Sequence, residues 1–349
     1  MAKVSFQPLH PSIRDKLDPE YVELHDAKVQ YIQPLELDTS WTPESRSRPS
    51  ALAFAVQRTV DVGKVYDQDV EDFQIRVFVP AGDAPVEGWP CLVWYHGGGW
   101  VNGGLDSENG FLAHACKYVQ CVVVTVNYRH APEHPYPAAI KDAFRGFEWA
   151  TSPENAETLS IDTSRLAIGG TSAGGGLAAS VGLKILKDSD QTTIPKPCFQ
   201  LLICPVIDNT ATTESAWSTA KHSPFLTPGR MEWYRQKYFQ GTDGSERMNW
   251  EASPCFAPTE LLGGSPDSFI GIAECDLLAP EAIKYAATLE GLGARVESRV
   301  YPGATHSILA LAGIHKVGKY LVHDACDALA RHLGTSYDRE VAIVEGLSE

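Results

Sequence analysis

The sequence lacks the long apolar run that a membrane-spanning helix needs, because no stretch approaches the roughly 20 apolar residues of such a helix. An apolar run of signal-peptide length is also missing from residues 1–24, where prolines stand among scattered charges. We therefore expect a cytoplasmic protein without a membrane span.

Positive charge is scarce in this chain. Its 349 residues include 29 Lys and Arg against 44 Asp and Glu, which gives a formal net charge of −15. No basic cluster reverses this charge locally, and a negative surface repels phosphate backbones and anionic membranes. The charge therefore argues against nucleic acid as a partner.

Paired cysteine spacing is absent as well. The eight cysteines form no C-x-x-C pair, and the spacing of zinc ligands does not occur. Several cysteines fall in apolar runs, such as those that begin at Cys91 and Cys121. We expect reduced cysteines that act as small core residues, and no bound metal.

What the chain does contain is an alternation of short apolar runs with helical segments. The runs 92–95 and 122–126 are continuously apolar, which is typical of parallel strands covered on both faces. The stretches 59–66 and 73–79 alternate instead, which favours an antiparallel pair. The pattern predicts a doubly wound, mostly parallel α/β sheet with helices on both faces. Later strands are predicted at 165–168, 199–204, 268–273 and 296–301, and helices at 11–17, 20–27, 105–118, 137–150, 177–187, 228–239, 280–290 and 314–332.

Some segments do not fit this alternation. Residues 1–57 show no strand period, and residues 208–258 are too long for a simple connection. The second segment is rich in aromatic residues and is expected to form a lid or pocket wall, although packing for stability explains any single aromatic residue equally well. We predict a core of residues 58–207 and 259–335, and a polar, loosely held tail of residues 336–349.

Ser172 lies at the corner between a predicted strand and a predicted helix. Gly170 and Gly174 stand two positions before and after it, in the pattern G-x-S-x-G. Glycines at these positions permit a sharp turn that points the serine hydroxyl outward. The pattern favours a nucleophilic serine.

Glycine-rich turns can also bind phosphates. A Walker loop would need a lysine directly after its last glycine, but no lysine follows Ser172 before Lys184. A second glycine-rich run, at 97–99, departs from the dinucleotide fingerprint because Asn102 replaces its last glycine. Both observations argue against a nucleotide site.

A nucleophilic serine needs a base, and the base needs a partner that fixes its tautomer. Ligands of open α/β sheets bind at the carboxyl ends of strands. His306 follows the predicted strand 296–301, and Glu274 and Asp276 both follow the strand 268–273. The order serine, acid, histidine is the one expected for a serine on such a turn.

Competing residues exist for each role. His96, His130 and His134 lie in loops near the predicted site, where histidines are usually structural or solvated. We favour His306 as the base. The residues alone do not decide whether Glu274 or Asp276 is the acid that orients the base.

Acyl transfer also needs N–H donors for the oxyanion of its tetrahedral intermediate. The run His96-Gly97-Gly98-Gly99 follows a buried strand and lets bare backbone approach a substrate. Ala173 offers a further N–H at the start of the helix. A flexible linker is the alternative, but linkers seldom follow a buried strand.

The chain resembles the hormone-sensitive-lipase family of α/β-hydrolase esterases over roughly residues 59–333. The motifs that carry this resemblance are His96-Gly97-Gly98-Gly99-Trp100, the Tyr128-Arg129-His130-Ala131-Pro132-Glu133 segment, Gly170-Thr171-Ser172-Ala173-Gly174, Ser253-Pro254, Asp276 and His306. The resemblance implies the α/β-hydrolase fold, with an eight-stranded sheet. It also implies a helical cap made from the amino-terminal segment and an insertion after the sixth strand.

The resemblance further implies a role for each site residue. Ser172 would be the nucleophile, His306 the base and Asp276 its orienting acid, and the N–H groups of Gly98, Gly99 and Ala173 would bind the oxyanion. It implies no metal or organic cofactor. The chain departs from the family in having Ser307-Ile308 after the histidine, where Gly-Phe is usual, and His130 where leucine is common.

These observations predict a serine carboxylesterase for small to medium acyl esters, with an acyl-enzyme on Ser172. An amidase or lactonase specialised for a natural product is an alternative. A non-catalytic small-molecule receptor is another, as in the plant gibberellin receptors, but these lack the catalytic histidine that His306 would supply. We expect a small-molecule ester as substrate and regard a homodimer as open.

Overall fold

The central element is an eight-stranded sheet, seen in a computed structural model that describes residues 4–48, 50–189 and 193–346. The strands lie in the order β1-β2-β4-β3-β5-β6-β7-β8. They are β1 (Lys64–Val70), β2 (Phe73–Val79), β3 (Trp89–Tyr95), β4 (Val122–Asn127), β5 (Ile161–Thr171), β6 (Phe199–Ile203), β7 (Asp267–Ala273) and β8 (Val296–Tyr301). Neighbours among β3 to β8 pair in parallel, whereas β2 is antiparallel to β1 and β4. The predicted mostly parallel sheet is confirmed.

Helices cover both faces of this sheet. In the described residues they are α1 (Pro11–Arg14), α2 (Pro19–Ala27), α3 (Asn109–Ala115), α4 (Ala138–Thr151), α5 (Pro153–Thr158), α6 (Ala173–Asp188), α7 (Pro228–Tyr238), α8 (Thr259–Gly263), α9 (Ala279–Gly291) and α10 (Lys316–Leu333). Val93 and Tyr95 of β3 belong to the core that contains α4, α6 and α9. Leu92 and Trp94 belong to the core that contains α3 and α10. Successive strand residues face opposite layers, so β3 needs a continuous apolar run.

Helix α6 begins at Ala173, four residues before the predicted start at Leu177. The later start was predicted because three consecutive glycines, 174–176, have a low helix propensity. Tertiary packing requires them, because a β-carbon at Gly174 would lie 2.0 Å from the carbonyl oxygen of Tyr95. The close approach of helix and strand therefore outweighs the intrinsic preference.

Several other predicted boundaries differ from the structure, among them the starts of β1 and α3. β1 begins at Lys64 rather than at residue 59, because Val60 and Val62 pack beside the α3 and α10 layer instead of continuing the hairpin. α3 begins at Asn109 rather than at residue 105, because a turn precedes it in which the Gly104 N–H bonds to Ser107 Oγ at 2.9 Å.

The amino-terminal segment and the 208–258 insertion pack beside each other. Tyr21, Val29 and Leu52 form a buried cluster with Cys275 and Leu311, which follow β7 and β8. Arg230 of α7 in turn bonds to Glu36 at 3.0 Å. The amino-terminal segment therefore covers the carboxyl edge of the sheet. Residues 1–3 and 49 of the predicted segment lie outside the described residues, and the predicted domain limits stay predictions.

The carboxy-terminal tail is not loosely held as far as residue 346, so that expectation is wrong. Ala342 and Val344 are 2% and 5% exposed, and Arg58 N donates to Glu345 O at 2.7 Å. Tyr337 packs beside the α3 and α10 layer. Burial of a few apolar side chains is enough to dock a polar segment. Residues 347–349 of the predicted tail lie outside the described residues.

Throughout the part of the chain that the structure describes, no helix combines the length and apolar character needed to cross a membrane. The eight cysteines are unpaired, and six of them are buried, as the apolar runs predicted. Cys198 is exposed and Cys255 is half-buried, so these two are not core residues.

Candidate active site

Ser172 occupies a sharp turn between β5 and α6. Its backbone has φ 56° and ψ −120°, a left-handed φ that non-glycine residues seldom adopt. A β-carbon at Gly170 would lie 2.3 Å from the backbone of Gly174, so the turn closes only with glycine there. The Ser172 side chain does not cap α6, which leaves its hydroxyl available to other partners.

His306 connects Ser172 to Asp276. His306 Nε2 lies 2.9 Å from Ser172 Oγ, and its Nδ1 lies 2.8 Å from Asp276 Oδ2. With the proton on Nδ1, the ring donates to the carboxylate and accepts from the serine hydroxyl. This is the geometry in which a histidine can act as a general base toward serine.

Asp276 is held in place by the turn after β7. Its side chain is 1% exposed, and its second oxygen, Oδ1, accepts the Leu278 N–H at 3.2 Å. The two bonds fix the carboxylate plane, so the imidazole that it holds has one preferred orientation.

Glu274, the other candidate acid, points elsewhere. Its carboxylate accepts the Gly303 N–H at 2.8 Å, and the residue is exposed. Glu274 therefore supports the loop that leads to His306. Asp276, and not Glu274, is bonded to the histidine.

The competing histidines have other environments. His96 is fully buried, its Nδ1 lies 2.7 Å from the Gly97 carbonyl, and burial lowers its pKa to about 4. His130 lies 5.3 Å from the His96 ring, and burial lowers its pKa well below the usual value. His134 is exposed. The histidine bonded to Ser172 is His306.

The glycine run after β3 lies directly beside the serine turn. A β-carbon at Gly97 would be 3.5 Å from Ser172 Cβ, and Gly98 and Gly99 have φ of +121° and +62°. These left-handed conformations require glycine. Gly98, Gly99 and Ser172 line the same cavity. The assignment of Gly98, Gly99 and Ala173 as oxyanion donors stays a prediction.

Glu108 is a site-supporting residue that the sequence analysis missed. Its Oε1 accepts the Gly97 N–H at 3.2 Å, and its Oε2 lies 3.4 Å from Trp94 Nε1. Burial raises its pKa to about 7. The sequence offered one signal for this role, because Glu108 directly precedes the buried helix α3. Acidic residues at such positions usually face solvent, however.

The cavity at Ser172 has a volume of about 780 Å³. Core residues form its floor, and the amino-terminal segment and the insertion form much of its wall. The apolar wall includes Ile32, Leu35, Trp41, Phe225, Leu226, Met231 and Tyr234. Another cavity, of about 750 Å³, lies between residues 84–88 and 153–163 and contains none of the predicted site residues.

Two groups of potential metal ligands lie together among the described residues. They are Cys204 with Asp276 and His306, and Asp18 with Glu20 and His315. Asp276 and His306 already bond to each other, and His315 Nε2 lies 3.1 Å from Asp18 Oδ1. These internal bonds give no support to a metal site, and a chain without metal or organic cofactor stays a prediction.

Comparison with known proteins places these features in a family. A sequence profile of the α/β hydrolase fold matches residues 92–310. An AB hydrolase superfamily protein of Schizosaccharomyces pombe is 35% identical over 92% of this chain and 96% of its own length. Carboxylesterase NlhH of Mycobacterium tuberculosis is 35% identical over 69% of this chain and 72% of its own.

Solved structures agree with this result. The ester-hydrolase EH1AB1 from the metagenome of Lake Arreo has a TM-score of 0.79 and 28% identity, covering 94% of this chain and 100% of that one. The predicted α/β-hydrolase fold is thereby confirmed. The chain belongs to the hormone-sensitive-lipase family of α/β hydrolases.

Proposed function

We propose that this protein is a serine carboxylesterase that hydrolyses small to medium acyl esters through an acyl-enzyme on Ser172. The observation that carries the proposal is the bridge made by His306, 2.9 Å from Ser172 Oγ and 2.8 Å from Asp276 Oδ2. Relatives named as carboxylesterases and ester hydrolases support the reaction class.

In the acylation step, His306 Nε2 takes the hydroxyl proton as Ser172 Oγ attacks the ester carbonyl. The oxyanion that forms lies against the N–H groups of Gly98, Gly99 and Ala173, each worth about 3 kcal/mol. His306 then gives its proton to the departing alcohol, and the acyl group remains on Ser172. Asp276 stabilises the imidazolium throughout.

Deacylation repeats these roles with water. His306 removes a proton from the water molecule, which attacks the acyl-enzyme carbonyl, and the carboxylic acid leaves as Ser172 regains its proton. No group other than the chain's own residues and water is needed for the balance of atoms and charges.

The substrate range follows from the cavity. A volume of about 780 Å³ with a largely apolar wall suits an acyl chain and an alcohol of moderate size. Substrates carrying long acyl chains would have to extend beyond it. We expect turnover of nitrophenyl esters to be highest for short and medium acyl chains.

The test is hydrolysis of nitrophenyl acetate and butyrate by the purified protein and by Ser172→Ala, together with labelling by a fluorophosphonate probe. We expect turnover and labelling of the wild type, and loss of both in the variant. A wild type that is neither active nor labelled would fit a binding protein, and undiminished turnover by Ser172→Ala would exclude the acyl-enzyme. Faster cleavage of a matched anilide or lactone would move the assignment to an amidase or lactonase.

A further inference from the structure

Arg46 links the amino-terminal segment to the core beside the site. It lies in a short 3-10 turn, Pro43–Ser47, and its side chain is only 17% exposed. Nη1 and Nη2 donate to the two carboxylate oxygens of Glu133 at 2.6 and 2.7 Å. Nη2 also donates to the Ala131 carbonyl at 2.7 Å, and Nε donates to the Val101 carbonyl. Every nitrogen of the guanidinium thus contacts the core.

The two carbonyls belong to the backbone that supports the glycine run. Val101 N donates to Gly98 O at 3.2 Å, and Ala131 N donates to Trp100 O at 2.9 Å. Val101 and Ala131, whose carbonyls accept from Arg46, therefore also donate their own N–H groups to residues 98–100. A shift of Arg46 would move the segment that carries Gly98 and Gly99.

The insertion contacts the same run from another direction. A β-carbon at Gly99 would lie 2.3 Å from Cγ and Cδ1 of Tyr234, so the tyrosine ring of α7 rests on the Gly99 backbone. The neighbouring Trp233 packs edge-on against Trp41 at 5.1 Å. Two separate cap segments therefore converge on one short loop.

An arginine that forms only a surface ion pair has a more exposed side chain and does not bond to the core. Arg14, also in the amino-terminal segment, pairs with Asp26 within that segment, and both side chains are more than 40% exposed. Both arginines bond their carboxylate with two nitrogens, but Arg46 reaches across to the core and also donates to two loop carbonyls. The planar fork of arginine suits this double task, which a lysine ammonium cannot reproduce.

We propose that Arg46 is a positioning residue that sets the backbone of residues 97–102, so that docking of the amino-terminal segment and stabilisation of the oxyanion are coupled. The inference rests on the proposed esterase function. Because displacement of a preorganised group by about 1 Å can cost 100-fold in rate, we expect Arg46→Met to lower kcat about 10- to 100-fold with a much smaller change in KM.

The experiment compares Arg46→Met, Arg46→Lys and the matched control Arg14→Met with the wild type. Turnover of nitrophenyl acetate gives kcat and KM, and hydrogen exchange reports on the amides of residues 97–102. We expect both Arg46 variants to lose kcat and to exchange faster in this segment, while Arg14→Met behaves as the wild type. Arg46→Lys keeps a charge opposite Glu133, so it remains informative if Arg46→Met does not fold.

Two outcomes would overturn the inference. One is a kcat for the folded Arg46 variants within about twofold of the control. The other is full recovery of kcat by Arg46→Lys, which would leave the carbonyl contacts without effect. A wild type that cleaves no ester contradicts the proposed function instead, and the exchange of residues 97–102 then still decides whether Arg46 orders the loop.

Discussion

The carboxylate of Glu108 accepts the backbone N–H of Gly97 at 3.2 Å, which joins the start of α3 to the glycine run beside Ser172. Glu108 thereby holds the first glycine of the run from the side of the core. Arg46 approaches the same run from the amino-terminal segment. The loop predicted to bind the oxyanion is thus supported by partly buried polar groups on separate elements.

The burial of the Glu108 carboxyl group predicts a pH dependence of stability. Burial raises the pKa of Glu108 to about 7, whereas an unfolded glutamate titrates near pH 4.3. Between these values the folded state binds the additional proton, so the free energy of unfolding decreases as the pH rises through this window and levels off above it. Glu108→Gln keeps an acceptor for the Gly97 N–H and removes the titration.

We therefore expect urea unfolding of Glu108→Gln to show a smaller decrease in stability from about pH 5 to about pH 7 than the wild type. Glu290→Gln, at an exposed position of α9, serves as the control and should follow the wild type. Equal slopes for Glu108→Gln and the wild type would contradict a raised pKa at this residue.

Asp276 and Glu274 offer a matched pair of carboxylates. Asp276→Asn should lower kcat by about 10³- to 10⁴-fold, because the amide no longer stabilises the imidazolium or holds the productive tautomer of His306. Glu274→Gln keeps an acceptor for Gly303 and should change kcat little. Steady-state kinetics on nitrophenyl acetate measure both, and similar losses in the two variants would show that the assignment of the acid is wrong.

The contact of Tyr234 with Gly99 predicts a steric effect. Gly99→Ala places a methyl group into the tyrosine ring, and we expect kcat to fall about 100-fold as the loop moves. Combining it with Tyr234→Ala should restore part of the loss. Gly82→Ala is the control, since Gly82 has a φ of +93° but open space around it. No recovery in the double variant would mean that backbone strain alone causes the defect.

Docking of the tail predicts a loss of stability without loss of activity. Tyr337 Oη lies 2.8 Å from both His114 Nε2 and His323 Nδ1. Tyr337→Phe leaves the nitrogens of buried His114 and partly buried His323 without that partner and should lower the free energy of unfolding by about 1–3 kcal/mol. Tyr320→Phe, at a residue that is 48% exposed, should change it by less than about 0.5 kcal/mol. Denaturant unfolding distinguishes the two, and equal effects would argue against a docked tail.

Prediction from the sequence worked where the determining interactions are local. The buried strands followed from continuous apolar runs, and the turn at Ser172 followed from glycines two residues away on each side. His306 was identified as a candidate base because it follows β8, and Glu274 and Asp276 as candidate acids because they follow β7. The choice between the two acids needed a family resemblance, because both follow the same strand within three residues.

Prediction failed where distant segments determine the outcome. The start of α6 depends on how closely its glycines approach Tyr95, and docking of the tail depends on partners more than 200 residues away, such as His114. Glu108 and Arg46 look like ordinary surface charges in the sequence. Their partners lie on other elements, so no local pattern reveals them.

By itself, the sequence determined the α/β alternation, the glycine-bounded turn at Ser172 and the strand ends that carry the acid and the histidine, since these depend on backbone sterics and on periodicity over a few residues. Only the tertiary structure decided that Glu274 bonds Gly303, that Glu108 holds Gly97, and that Arg46 connects the cap to the loop. These hydrogen bonds join partly buried groups on separate elements, and their geometry exists only after the sheet and the cap have packed together.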